Sequence, residues 1–98
     1  MTYLVTLSKR ASKHRDELFR QGYGDKIESI LSIFSENPYP PNSKALKGQA
    51  KGLYSVRVNI QDRLVFEVEP SEDARYEGII NVISMRTHYE GIVPLFML

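Results

Sequence analysis

Apolar positions follow a helical period near the start of this chain and a two-residue period through its second half. Residues 2–7 carry Tyr3, Leu4, Val5 and Leu7 in a weakly alternating run, which predicts a first strand. Ser8 is placed to cap a helix through Gln21, with Ala11, Leu18 and Phe19 as its buried stripe. Lys9, Arg10, Lys13, Arg15 and Arg20 fall on its other face, and His14 lies on that polar stretch with no role assigned. Gly22-Tyr23-Gly24 ends the helix. Asp25 then caps a second helix through about Ser35, where Ile27, Ile30, Leu31 and Phe34 recur at i, i+3, i+4 and i+7. The segment N-P-Y-P-P-N at 37–42 stops it, because proline cannot continue the hydrogen-bond ladder.

From 53 onward the period shortens to two. Tyr54, Val56, Val58 and Ile60 share one strand face, which leaves Ser55, Arg57 and Asn59 on the other. In the next run Leu64, Phe66 and Val68 face one way, and Arg63, Val65 and Glu67 the other. Two arginines are thus expected on the non-core face of one hairpin. Residues 69–77 are polar and predict a loop. Residues 78–85, G-I-I-N-V-I-S-M, suit a central strand. The apolar tail at 91–98, interrupted by Pro94, is expected to pack on the body, pair with a partner or be floppy. The predicted order is β-α-α-β-β-β, an α+β fold with two helices on one face of a mainly antiparallel sheet.

Ninety-eight residues suit a single domain over 1–98 with one modest core. No cysteine means no disulfide framework and no thiolate metal site, and fits a cytoplasmic protein. No secretory pattern opens the chain, and no apolar stretch is long enough to span a bilayer. A net charge of +1 hides an asymmetry: residues 1–60 hold ten Lys/Arg against five Asp/Glu, and the remainder three against seven. Between Lys44 and Arg57 stand four cations, Lys44, Lys47, Lys51 and Arg57, and no acid. On charge alone this is a solvated basic loop. Beside Arg63, and with Arg86, His88 and Tyr89 closing the last strand-like run, it suggests a site for a phosphodiester.

The stretch K-A-L-K-G…G-L-Y-S-V-R-V…D-R-L-V-F-E-V, followed by M-R-T-H-Y, resembles the RelE/ParE superfamily of bacterial toxins, in particular its YoeB/Txe branch. The resemblance covers most of the chain, although the N-terminal half matches in pattern only. It implies a ribosome-dependent, metal-free messenger-RNA endonuclease without a cofactor. The ribose 2′-hydroxyl attacks the adjacent phosphate and leaves a 2′,3′-cyclic phosphate and a 5′-hydroxyl. It also implies a cognate antitoxin that orders on binding, contact with ribosome and mRNA, and homodimer formation. No membrane partner is implied.

Roles carry over by position. Arg63 matches the arginine that neutralises the scissile phosphate, His88 the general acid for the leaving 5′-oxygen, and Tyr89 a tyrosine that orients substrate. Arg57 and Lys47 match basic residues near the RNA backbone, and Lys51 and Arg86 join them as RNA-binding candidates. Two positions depart from the branch. The glutamate proposed as general base falls at Lys44, and a second acidic position is Gln61. Lysine at Lys44 is closer to the RelE type, where lysines of the basic segment take part in the reaction.

These residue types suit the chemistry. Arginine stays charged and forks two donors onto phosphate, and histidine can donate or accept a proton near neutrality. Each residue also has a plain reading: Arg63 as a hairpin charge paired with Glu67 or Asp62, His88 as a surface histidine, Tyr89 as packing. Two further functions stay open. One is a ParE-type inhibitor of DNA gyrase, against which His88-Tyr89 argues. The other, prompted by the missing glutamate, is a degenerate toxin that only binds RNA or antitoxin.

Overall fold

Ser8 ends the first strand and begins the first helix. Its hydroxyl accepts from the Ala11 N–H at 3.0 Å and donates to the Ile83 carbonyl at 2.7 Å, so one side chain caps the helix and ties it to the sheet. The computed structural model of the chain describes residues 2–46, 52–59 and 62–86. Its elements are β1 (Thr2–Leu7), α1 (Lys9–Arg20), α2 (Gly24–Phe34), β2 (Lys44–Ala45), β3 (Tyr54–Arg57), β4 (Arg63–Pro70) and β5 (Tyr76–Ser84). The strands form one sheet in the order β1-β5-β4-β3-β2. β1 runs parallel to β5 and the other pairs are antiparallel. The expected order holds, with a two-residue strand, β2, added at the edge.

The helices pack on one sheet face through the positions their period selected. Ala11 and Leu18 of α1 and Ile27, Ile30 and Phe34 of α2 are buried against Val56, Val58, Leu64, Phe66, Ile80 and Val82. Phe66 is the centre of this layer. Its ring meets Phe34 edge-on at 4.7 Å and stacks on Tyr54 at 5.8 Å. Burying each such side chain contributes about 1.5–3 kcal/mol. Tyr39, from the proline-rich segment, leans on Tyr54 at 4.9 Å and brings that segment down onto β3.

Four expectations need correction. Phe19 is 42% exposed, not buried. It lies one residue, about 100°, beyond Leu18 around the helix, and its ring covers Gly24, where an added Cβ would stand 3.0 Å away. Asp25 is not the cap of α2: the helix starts at Gly24, with Tyr23 at the cap and no side-chain cap bond. The loop expected over 69–77 shrinks to 71–75, because β4 runs through Pro70 and β5 begins at Tyr76. Proline is tolerated there because β3 pairs with β4 only as far as Phe66.

The fourth concerns the sheet face away from the helices, which is not bare. Val65 is fully buried there with Leu53, and Leu46 and Ile83 pack against them. The Leu46 N–H donates to the Leu53 carbonyl at 2.9 Å. Both ends of the basic segment are therefore fixed on the sheet by a small second cluster. Among the described residues no helix is long and apolar enough to cross a membrane.

Candidate nucleic-acid interface

The β3–β4 hairpin is set by its tip. The Asn59 side chain accepts from the Asp62 N–H at 2.7 Å and donates to the Asp62 carboxylate at 2.9 Å. The Val58 N–H donates to the Asp62 carbonyl at 3.0 Å. This clamp fixes the register, and the register places Arg57 directly across from Arg63. Side chains so paired share a face, with Cβ atoms roughly 4.5–5.5 Å apart. Val58 and Asp62 occupy a hydrogen-bonded step of the ladder. Arg57 and Arg63 therefore fall at the next, non-hydrogen-bonded step, where side chains stand closer.

Lys44 reaches the same face by another route. Pro40–Ser43 form a turn closed by the Ser43 N–H on the Pro40 carbonyl at 3.0 Å. Pro41 leads and Asn42 follows at φ 69°, the left-handed value that a type II turn requires. The turn delivers Lys44 opposite Ser55, so alternation puts it on the face of Arg57 and Arg63.

β2 ends after two residues, and among the described residues no strand pairs with the outer edge of β3 from Val56 onward. A cleft of about 590 Å³ opens there. Lys44, Arg57 and Arg63 line it together with Lys26, Pro41, Asn42, Val56, Val58 and Asn59. Four of these carry positive charge and none carries negative charge. Among the described residues the ion pairs are Arg15–Asp16, Arg75–Asp73 and Arg86–Glu17, so none of the four cleft cations has a carboxylate within 4.0 Å. Such a surface is built for an anion spread over several charges, as a nucleic-acid backbone is.

The expected site residues divide into three groups. Lys44, Arg57 and Arg63 converge on the cleft. Arg86 is elsewhere: its guanidinium meets the Glu17 carboxylate at 3.4 Å, on the helix-covered side. Lys47, Lys51, His88 and Tyr89 lie outside the described residues, as does Gln61.

Two residues escaped the reading of the sequence. Lys26, in the first turn of α2, supplies the wall of the cleft across from the hairpin. Only the turn at 40–43 and the placement of α2 reveal this, and no local motif carries it. His14 is not on a polar face. It stands three residues after Ala11 and four before Leu18, on the packed stripe, and that spacing could have shown it. Its Nδ1 accepts from the Met85 N–H at 3.2 Å and lies 3.4 Å from the Ser84 hydroxyl. Burial lowers its pKa below 6.5, and the charges of Arg10 and Arg86 add to the effect. Glu17 and Asp62 oppose it without reversing the direction.

Neither a protein-family model nor a curated protein matches the sequence. Solved structures do. A YoeB/ParE toxin from Agrobacterium tumefaciens superposes with a TM-score of 0.74 at 21% identity, over 88% of this chain and 99% of that one. A YoeB dimer from Staphylococcus aureus gives a TM-score of 0.69 at 25% identity, over 91% and 100%. The toxin in a heterotetrameric YoeB–YefM toxin–antitoxin complex from the same organism gives 0.64 at 26%, also over 91% and 100%.

Proposed function

We propose, for a chain that is by fold a RelE/ParE-superfamily protein of the YoeB branch, that it is the toxin of a toxin–antitoxin module and cuts messenger RNA on the ribosome. The observation that carries this reading is the convergence of Lys44, Arg57 and Arg63 on one cleft whose described lining holds no carboxylate. A fold alone hosts many functions, whereas a cleft whose four cations have no ion pair among the described residues suits a phosphodiester.

In this reading the ribose 2′-oxygen attacks the neighbouring phosphorus and the bond from phosphorus to the 5′-oxygen breaks. The products are a 2′,3′-cyclic phosphate and a 5′-hydroxyl. Arg63 holds the charge that grows on the phosphorane, and Arg57 grips the backbone beside it. His88 gives its proton to the departing 5′-oxygen, and Tyr89 orients the substrate. Lys44 stands at the position of the general base that removes the 2′-proton. Lys47 and Lys51 contribute cationic contacts to RNA, while Arg86, held by Glu17 away from the cleft, takes no part. The ribosome supplies alignment of the reacting atoms, which can reach effective molarities of about 10⁵–10⁸ M.

An antitoxin and a second copy of the chain are the proposed protein partners. The structural relatives include a YoeB–YefM complex and a YoeB dimer, and the apolar segment at 92–98 is a candidate contact.

The test is purified protein added to a translating extract with a defined message, with cut sites mapped and the new 5′ ends labelled directly by polynucleotide kinase. Cleavage at codon-linked positions with 5′-hydroxyl ends is expected. Arg63→Ala and His88→Ala should each lower the rate by roughly 10²–10⁴-fold. RNA bound but uncut by the parent protein would leave a binding protein only. Inhibited gyrase with intact message would move the chain to the ParE function.

A further inference from the structure

Lys26 is a cation in an unfavourable place. It is the third residue of α2, within the first helical turn, where the helix dipole already presents positive charge. Its neighbours at i±3 and i±4 are Tyr23, Ser29, Gly22 and Ile30, so the acids of its helix, Asp25 and Glu28, stand at spacings that do not face it. Among the described residues it has no ion pair. Its side chain lines the cleft, opposite a hairpin that contributes Arg57 and Arg63. Folding alone does not account for a fourth cation set against three others across a shared space, since like charges in one cleft repel. An anion lying between the two walls does.

We infer that Lys26 is a phosphate-positioning residue, and that a single strand of RNA runs between the start of α2 and the β3–β4 hairpin with Lys26 on a phosphate next to the one gripped by Arg57 and Arg63. The inference rests on the RNA-cutting function proposed above and adds the path of the strand. Arg63 acts on charge that develops during reaction, so its loss lowers kcat. Lys26 holds a phosphate that does not react, so its loss weakens ground state and transition state alike and raises KM with kcat unchanged.

The experiment uses Lys26→Ala, Lys26→Arg and, as control, Lys13→Ala, an exposed lysine of α1 outside the cleft. Binding of a dye-labelled single-stranded RNA oligomer is followed by anisotropy across a salt series, in a His88→Ala background so that the probe stays whole. Lys26→Ala should weaken binding about three- to tenfold and flatten the plot of log affinity against log salt by roughly 0.7. Lys26→Arg should restore both, and Lys13→Ala should change neither. With His88 intact, cleavage on programmed ribosomes should show the rise in KM alone. Equal affinity and slope for Lys26→Ala and its parent would overturn the inference while leaving the proposed function standing. So would equal losses for Lys26→Ala and Lys13→Ala, which would mean diffuse charge. If the parent binds no free RNA, the KM on programmed ribosomes decides, and if it also leaves message uncut there, both fall together.

Discussion

Arg57 and Arg63 face each other across the β3–β4 ladder, at the step where facing side chains stand nearest. Like charges placed so oppose folding by about 0.2–1 kcal/mol. Arg57→Thr removes the repulsion and substitutes a residue that favours strands. We expect melting to rise by roughly 1–6 °C, while RNA cleavage falls about tenfold or more through the lost backbone contact. Differential scanning fluorimetry and the extract assay measure the two effects on one preparation. A lower melting temperature would mean that Arg57 supports the fold, and the cost assigned to the arginine pair would be withdrawn.

The helical face of the sheet was legible because periodicity records burial. Ile27, Ile30 and Phe34 on α2, and Leu64 and Phe66 on β4, lie where their spacing puts them. The opposite face was not, because alternation sorts residues by face without saying what returns to cover a face. Val65 shares the parity of Arg63 and Glu67, yet it is fully buried because Leu46 and Leu53 fold back over it. The two-residue β2 is too short to carry a period. Lys44, Arg57 and Arg63 could be grouped from motif and parity. Lys26 could not, since its place in the cleft follows from how α2 sits on the sheet.

His14 predicts acid sensitivity. Its Nδ1 must be unprotonated to accept from the Met85 N–H, and burial holds its pKa below 6.5. The unfolded chain therefore binds the proton more readily than the folded chain does, and stability rises with pH across the interval between the two values. The contribution is intact above 6.5 and is lost as pH falls below that value and through the lower folded one. Arg10 and Arg86 reinforce the effect, and Glu17 and Asp62 oppose it. His14→Asn keeps an acceptor that does not titrate. Its melting temperature should fall less than the parent's as pH drops from neutrality through 6.5 to just above the carboxylate range. Parallel curves for the two proteins would remove His14 as the cause.

Ser8 joins two elements, and three substitutions separate its tasks. Its hydroxyl accepts from the Ala11 N–H and donates to the Ile83 carbonyl. Ser8→Ala loses both bonds and should cost about 1–2 kcal/mol. Ser8→Asp keeps the cap and cannot donate, so it should fall between Ala and the parent. Ser8→Thr keeps both and should match the parent. Urea denaturation midpoints give the order. Equal midpoints for Asp and Thr would show that the bond to Ile83 adds nothing to the cap.

Leu53 tests whether the second cluster serves the site as well as the fold. It is 8% exposed and packs on fully buried Val65, with Leu46 beside it, at the points where the basic segment joins the sheet. Leu53→Ala removes most of that contact. Because the cluster is small and lies away from the Phe66 core, we expect the cost near the low end of the Leu→Ala range, about 2 kcal/mol. A domain of ordinary stability, about 5–15 kcal/mol, stays almost wholly folded after such a loss. Cleavage should nonetheless drop well beyond the folded fraction lost, because both ends of the segment bearing Lys47 and Lys51 rest on this contact. Leu18→Ala, a core truncation on α1 remote from the basic segment, should destabilise at least as much and leave the rate per folded molecule unchanged. Rates per folded molecule equal in the two variants would show that the cluster stabilises the protein without positioning its cations.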